Sequence, residues 1–247
     1  MKKIGIIGGS FESTRDYFER INQRVNELSG GGLIGADLMI RNINFGKYYD
    51  LVEEDDWETV ADDLAYEAAV LDMCGCDYIA IASDTFHKVA HEVEGRLKYT
   101  AERFGEWSPF VHIGDCVAEE CIKAGVKRIA LLGTRITMTE PFMQSRLAAN
   151  GLEVVDNFTD EQINRIDQLI IGELCHGIIC YSAEYLRHLC QELAESGDIE
   201  GIVLGCTELN AAFNKRFKQQ LAKDYGVMLF DTTQAHISKL VELCLSE

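Results

Sequence analysis

Short apolar runs alternate with longer stretches of helical period, and they do so twice over. This pattern constrains the chain more than any other feature. Candidate strands are Lys3–Ile7, Asp37–Ile43, Tyr78–Ala82, Phe110–Ile113, Arg128–Leu132, Leu152–Val155, Gly201–Leu204 and Val227–Phe230. Between them the spacing predicts helices over Ser13–Leu28, Trp57–Met73, Glu140–Asn150, Asp160–Cys175, Ala183–Glu195 and Thr232–Leu245. Val60, Leu64, Ala68 and Leu71, for example, share one helical face. Ser13 or Thr14 is a candidate cap for the first helix, and Gly75 and Gly151 are candidate stops. Strands that alternate with helices imply parallel sheets covered on both faces.

The two halves echo each other. "KKIGIIGGS" near the start resembles "KRIALLGT" at Lys127–Thr134, with Gly8 lying 125 positions before Gly133. "DYIAIASDTF" and "GIVLGCTEL" match in the same way, with Ser83 lying 123 positions before Cys206. The expected fold is therefore α/β. It comprises two similar doubly wound parallel-sheet domains related by pseudo-two-fold symmetry, with an active site between them. The expected boundaries are residues 1–110 plus about 226–247 for the first half and 111–225 for the second.

In such sheets ligands sit beyond the carboxyl ends of the strands. Ser83 and Cys206 each end an apolar run just before a predicted helix, where free N–H groups and a partial positive charge can hold a carboxylate. A thiol at a helix N-terminus is expected to titrate below its usual value of about 8.5. One base and one acid on opposite faces of a stereocentre are the minimal machinery for inversion. Amide donors around the substrate carboxylate would stabilise the enediolate-like charge that develops.

The remaining composition narrows the partners. The formal charge of −18 disfavours nucleic acid. No apolar run reaches membrane-span length, and the first one, Ile4–Ile7, is too short for a signal-peptide core. Nine cysteines without a secretory signal point to reduced thiols and a cytoplasmic setting. Their spacings match no zinc site, and the eight other than Cys206 read as packing or incidental residues. G-x-G-x-x-G is absent, which argues against a dinucleotide site. No metal and no organic cofactor is expected. His87 and His112 read as hydrogen-bonded scaffold near the first site, and His236 as a helix residue.

Five stretches in order resemble the cofactor-independent aspartate/glutamate racemase family. They are "GGSFESTRDYFERIN" (Gly8–Asn22), "SDTFHK" (Ser83–Lys88), "LLGTRITM" (Leu131–Met138), "GCTEL" (Gly205–Leu209) and "LFDTTQAH" (Leu229–His236). The resemblance implies two α/β domains, two groups that exchange the α-proton, and no cofactor. By position it makes Cys206 one catalytic group and places Ser83 where the other belongs. It implies substrate contacts for Asp84 and Thr85 beside the first group and for Thr207 and Glu208 beside the second. Ser10 and Thr134, in the two glycine loops, are further candidates for substrate contact.

The departures are informative. Ser-Asp stands where the family has Cys-Asn, and a serine hydroxyl does not rest as an anion near pH 7. "LKYTAERFGEW" (Leu97–Trp107) reads as an insertion. No lysine lies between Lys127 and Lys215 to clamp a side-chain carboxylate, and Arg135 and Arg165 are the remaining basic candidates. The expected function is amino-acid racemisation on aspartate- or glutamate-like substrates, slow or one-sided. The alternatives are a non-catalytic ligand-binding member of the fold and a one-cysteine decarboxylase or isomerase of dicarboxylates. The expected partner is a small amino or dicarboxylic acid, and a homodimer is compatible with this reading.

Overall fold

A computed structural model describes residues 1–105, 107–155 and 158–246. The chain divides into two compact units, Met1–Ile113 together with the chain from His236 onward, and Gly114–Ala235.

The first unit carries β1 (Ile4–Ile7), α1 (Phe11–Leu28), β2 (Leu38–Arg41), α2 (Phe45–Glu53), α3 (Trp57–Met73), β3 (Tyr78–Ile81), α4 (Ala90–Phe104) and β4 (Phe110–Val111). Its sheet has the order β2-β1-β3-β4 and is parallel throughout. After α5 (Ile113–Lys123) come β5 (Arg128–Gly133), α6 (Arg135–Thr139), α7 (Pro141–Ala149) and β6 (Glu153–Val154). They are followed by α8 (Asp160–Gly172), α9 (Cys180–Glu195), β7 (Gly201–Gly205), α10 (Lys215–Tyr225), β8 (Met228–Asp231) and α11 (Thr232–Leu245). The second sheet, β6-β5-β7-β8, is parallel and repeats the strand order of the first.

All eight expected strands are present. Their central members are buried on both faces, as helix-covered parallel strands must be. In the first unit Leu64 and Leu71 of α3 pack with Ile79, Ile81, Val93 and Leu97. In the second, Ile166 and Ile170 of α8 and Leu186 of α9 pack with Ile202 and Leu204. Gly75 and Gly151 follow the ends of α3 and α7 with φ of 76° and 89°, where a side chain would be strained.

Several expectations need correction. The chain returns to the first unit at His236 rather than near 226, because β8 is hydrogen-bonded to β7 with Leu204 opposite Asp231. The cap of α1 is Ser10, whose hydroxyl accepts from the Ser13 amide at 3.1 Å, and not Ser13 or Thr14. "LKYTAERF" forms the end of α4, whose Val93 and Leu97 are buried one turn apart. Glu106 of that stretch lies outside the described residues. Helix α10 was missed because it buries a single residue, Leu221. The Asn214 side chain starts it and Gly226, at φ 72°, stops it. Cys76, Cys116, Cys121, Cys190 and Cys244 are buried, as packing cysteines should be, whereas Cys74 is exposed. The Cys180 side chain lies outside the described ones. Among the described residues no helix is long and apolar enough to cross a membrane.

Candidate active site

The end of β3 is held from two sides. A side chain at Gly9 would lie 2.3 Å from the Ala82 carbonyl oxygen, so only glycine lets the two strand ends approach this closely. The Ser13 hydroxyl donates to the same carbonyl at 2.8 Å. Ser83 follows and is half-buried, Asp84 is 3% exposed, and Thr85 opens a single 3-10 turn, Thr85–Val89.

Below Ser83 lies a buried histidine cluster. His87 Nε2 accepts from the Ile113 amide at 3.1 Å, so Nδ1 carries the proton and donates to the Ser83 carbonyl at 2.7 Å. His236 accepts from the Tyr17 hydroxyl at Nδ1 (2.8 Å) and donates to the Val111 carbonyl from Nε2 (3.0 Å). Burial, and then the neighbouring His87, push His236 down to about 3, so it is neutral. The His87 and His112 ring centroids are 4.6 Å apart. His87 is hydrogen-bonded scaffold, as expected, and fixes the backbone that presents Ser83, while His236 is a residue of α11.

The end of β7 is built on the same plan with different chemistry. A side chain at Gly133 would lie 2.8 Å from the Gly205 carbonyl, the counterpart of the Gly9–Ala82 approach. Cys206, 7% exposed, donates its thiol proton to Glu208 Oε2 at 3.1 Å. The Thr207 hydroxyl donates to the same oxygen at 2.6 Å. Cys206, Thr207 and Glu208 therefore form one hydrogen-bonded group.

The expected thiolate is not the resting form. Burial first, then the Glu208 charge, then Cys175, hold the Cys206 thiol well above its ordinary range. The reason is local. β7 is followed by one four-residue 3-10 turn, Leu209–Ala212, and too few peptide dipoles align there to offset burial. Cys175, read from sequence as incidental, packs against the same core, and burial followed by Glu208 pushes its thiol up to about 12. Nothing in its sequence surroundings marks this, because the contact joins segments far apart in the chain.

Ser10 and Thr134 occupy corresponding places after β1 and β5. Both act as helix caps, accepting from the amides of Ser13 and Thr137. Among the described residues no cluster of three or more histidine, cysteine, aspartate or glutamate side chains could hold a metal ion.

A family model described as Asp/Glu/Hydantoin racemase matches residues 4–240. The chain belongs to this family. A Yersinia pestis protein classed with the Asp/Glu racemases is 33% identical over the full length of both chains, with a TM-score of 0.85. An aspartate racemase homologue from Pyrococcus horikoshii OT3 is also 33% identical over both full lengths, with a TM-score of 0.79. The broad specificity amino-acid racemase RacX of Bacillus subtilis (strain 168) is 25% identical over 215 residues, 85% of this chain and 87% of the relative.

Proposed function

We propose that this member of the family is a cofactor-independent amino-acid racemase whose two proton-transfer groups, Cys206 and Ser83, are unequal. The observation that carries the proposal is the Cys206–Glu208 hydrogen bond at the end of β7. A buried thiol that rests protonated needs a base before it can act, and Glu208 already accepts its hydrogen bond. In the proposed step Glu208 takes the Cys206 proton and the sulfur takes the α-proton of the substrate. The released electron pair spreads into the substrate carboxylate as an enediolate. Ser83 then donates its hydroxyl proton to the α-carbon from the other face and is reprotonated by water, and the hydroxide so formed is neutralised by the proton that Glu208 releases.

The reverse direction would require Ser83 to act as the base. A hydroxyl does this poorly near neutral pH, and because the two enantiomers are equal in free energy the same barrier slows inversion in both directions, while α-proton exchange on the Cys206 side is faster. Asp84, Thr85, Thr207 and Glu208 are proposed as the polar groups around the substrate, with Ser10 and Thr134 ordering the two glycine loops. The substrate class is a free amino acid. The absence of lysine between Lys127 and Lys215 and the broad specificity of the Bacillus relative extend the candidates beyond aspartate and glutamate.

The test is α-proton exchange in D2O over a panel of L- and D-amino acids, read by proton NMR. Exchange on at least one of them, without added metal or cofactor, is the expected result. No exchange on any would leave the chain as a ligand-binding member of the family.

A further inference from the structure

The polar face of α8 lines an open cleft of about 740 Å³. Glu161, Gln162, Asn164, Arg165 and Gln168 form one wall, and Tyr185 of α9 forms the other. None of them belongs to the motifs around Ser83 or Cys206. Glu161 and Arg165 are four residues apart in the order that ordinarily gives an intrahelical ion pair. They form none, and among the described residues neither has an ionic partner. The Arg165 guanidinium instead lies 5.9 Å over the Tyr185 ring. In a chain with 41 acidic and 23 basic residues, a cation left over beside an acid one turn away is notable for what it leaves open.

We propose that this cleft binds a free α-amino acid as a zwitterion. The Arg165 fork, backed by the Tyr185 ring, presents donors suited to a planar carboxylate. Glu161, about 6 Å away between Cβ atoms as helix neighbours are, accepts from the ammonium. An α-amino acid carries its two charges on groups attached to one carbon, a span that two side chains one turn apart can clasp. The Gln168 amide supplies a donor and an acceptor for polar side chains, and Gln162, whose Oε1 already accepts from the Thr159 amide at 2.9 Å, supplies a donor.

The same turn of α8 reaches the loop after β5. Asn164 accepts from the Arg135 guanidinium, and Asp167 accepts from the Arg135 amide at 2.8 Å. Arg135 follows the Thr134 cap, so these two hydrogen bonds tie α8 to that loop.

The experiment is a titration of the ¹⁵N-labelled full chain with glycine, the zwitterion without a side chain, followed residue by residue in two-dimensional NMR. Saturating shifts are expected at residues 161–168, Tyr185 and Arg135. Acetate and methylammonium, each carrying one of the two charges, should bind at least about tenfold more weakly. Arg165→Gln and Glu161→Gln should each weaken glycine to a similar degree, and Arg165→Lys should weaken it less. Three results would overturn the proposal: shifts that do not saturate, shifts confined to residues 83–85 and 206–208, or a titration unchanged by Arg165→Gln. Acetate binding as tightly as glycine would overturn the zwitterion. The outcome is independent of racemase activity, since a chain that fails to exchange α-protons can still show saturation at α8.

Discussion

The ends of β3 and β7 occupy the same place in two copies of one topology, and they differ in what they present. Both sheets run in the same strand order, and in both a glycine closes onto the neighbouring strand end, Gly9 on Ala82 and Gly133 on Gly205. At β3 a half-buried hydroxyl follows, with its carbonyl held by a neutral histidine. At β7 a buried thiol follows, already donating to a carboxylate. The backbone plan is thus more tightly repeated than the chemistry. Close packing of strand ends tolerates no side chain at the glycines, whereas the residue beyond them is free to diverge once the pocket around it changes.

The largest expected effect separates the two ends directly. Cys206→Ala should lower α-proton exchange by about 10²–10⁴-fold, the range for loss of a positioned proton-transfer group. Ser83→Cys should instead raise racemisation, because it restores a group of suitable acidity. Rates on aspartate, glutamate and neutral amino acids, measured in both directions, check this. Equal losses from Cys206→Ala and Ser83→Ala would remove the asymmetry.

Next in size is the coupling within the second end. Glu208→Gln removes the negative charge that helps hold the Cys206 thiol high. The thiol should therefore titrate lower and react faster with iodoacetamide at pH 7.5, while α-proton exchange falls because the proton acceptor is lost. An unchanged alkylation rate at Cys206, located by peptide mapping, would show that Glu208 does not govern the thiol.

Much of this was legible in the sequence, for identifiable reasons. Buried strands such as Ile4–Ile7 and Gly201–Gly205 are continuous apolar runs, and the matched offsets exposed the repeated plan. The strand-end motifs could be found because small polar residues interrupt those runs abruptly. The protonation state of Cys206 was not legible. It depends on how short the following helical turn is and on Cys175, which lies 31 positions away in sequence. Helix α10 was hidden because its apolar stripe is narrow, with Phe217 and Leu221 alone facing the core of the second unit. The return to the first unit comes later than expected, at His236, because β8 looks like any edge strand until its partner is known.

Smaller effects test the shared scaffold. Gly9→Ala should cost about 2–3 kcal/mol, since the added methyl meets a backbone oxygen that cannot swing away. Gly133→Ala should cost less, about 1–2 kcal/mol, because the backbone oxygen its methyl meets, that of Gly205, lies at 2.8 Å rather than 2.3 Å. Urea midpoints give both values, and the reverse order would contradict the geometry.

The smallest difference is in pH response. His236 stays neutral in the folded first unit down to about pH 3, whereas in the unfolded chain it takes up a proton near its ordinary value of 6.5. Between these values the unfolded form binds more protons, so the stability of the first unit falls as pH is lowered from about 6.5 towards 3. Amide hydrogen exchange at pH 7.5 and pH 5 should show protection lost first around β1, β3 and β4. Protection lost first around β5 and β7 would assign the acid sensitivity elsewhere.

The inequality of the two ends is tested most directly by following both enantiomers of one reactive amino acid in D2O. Deuterium should enter one enantiomer, recovered with its configuration unchanged, faster than that enantiomer inverts. The other should exchange more slowly, because its α-proton must be taken on the Ser83 side. Equal exchange of both enantiomers, each matched by inversion at the same rate, would contradict the account and make the hydroxyl and the thiol equivalent.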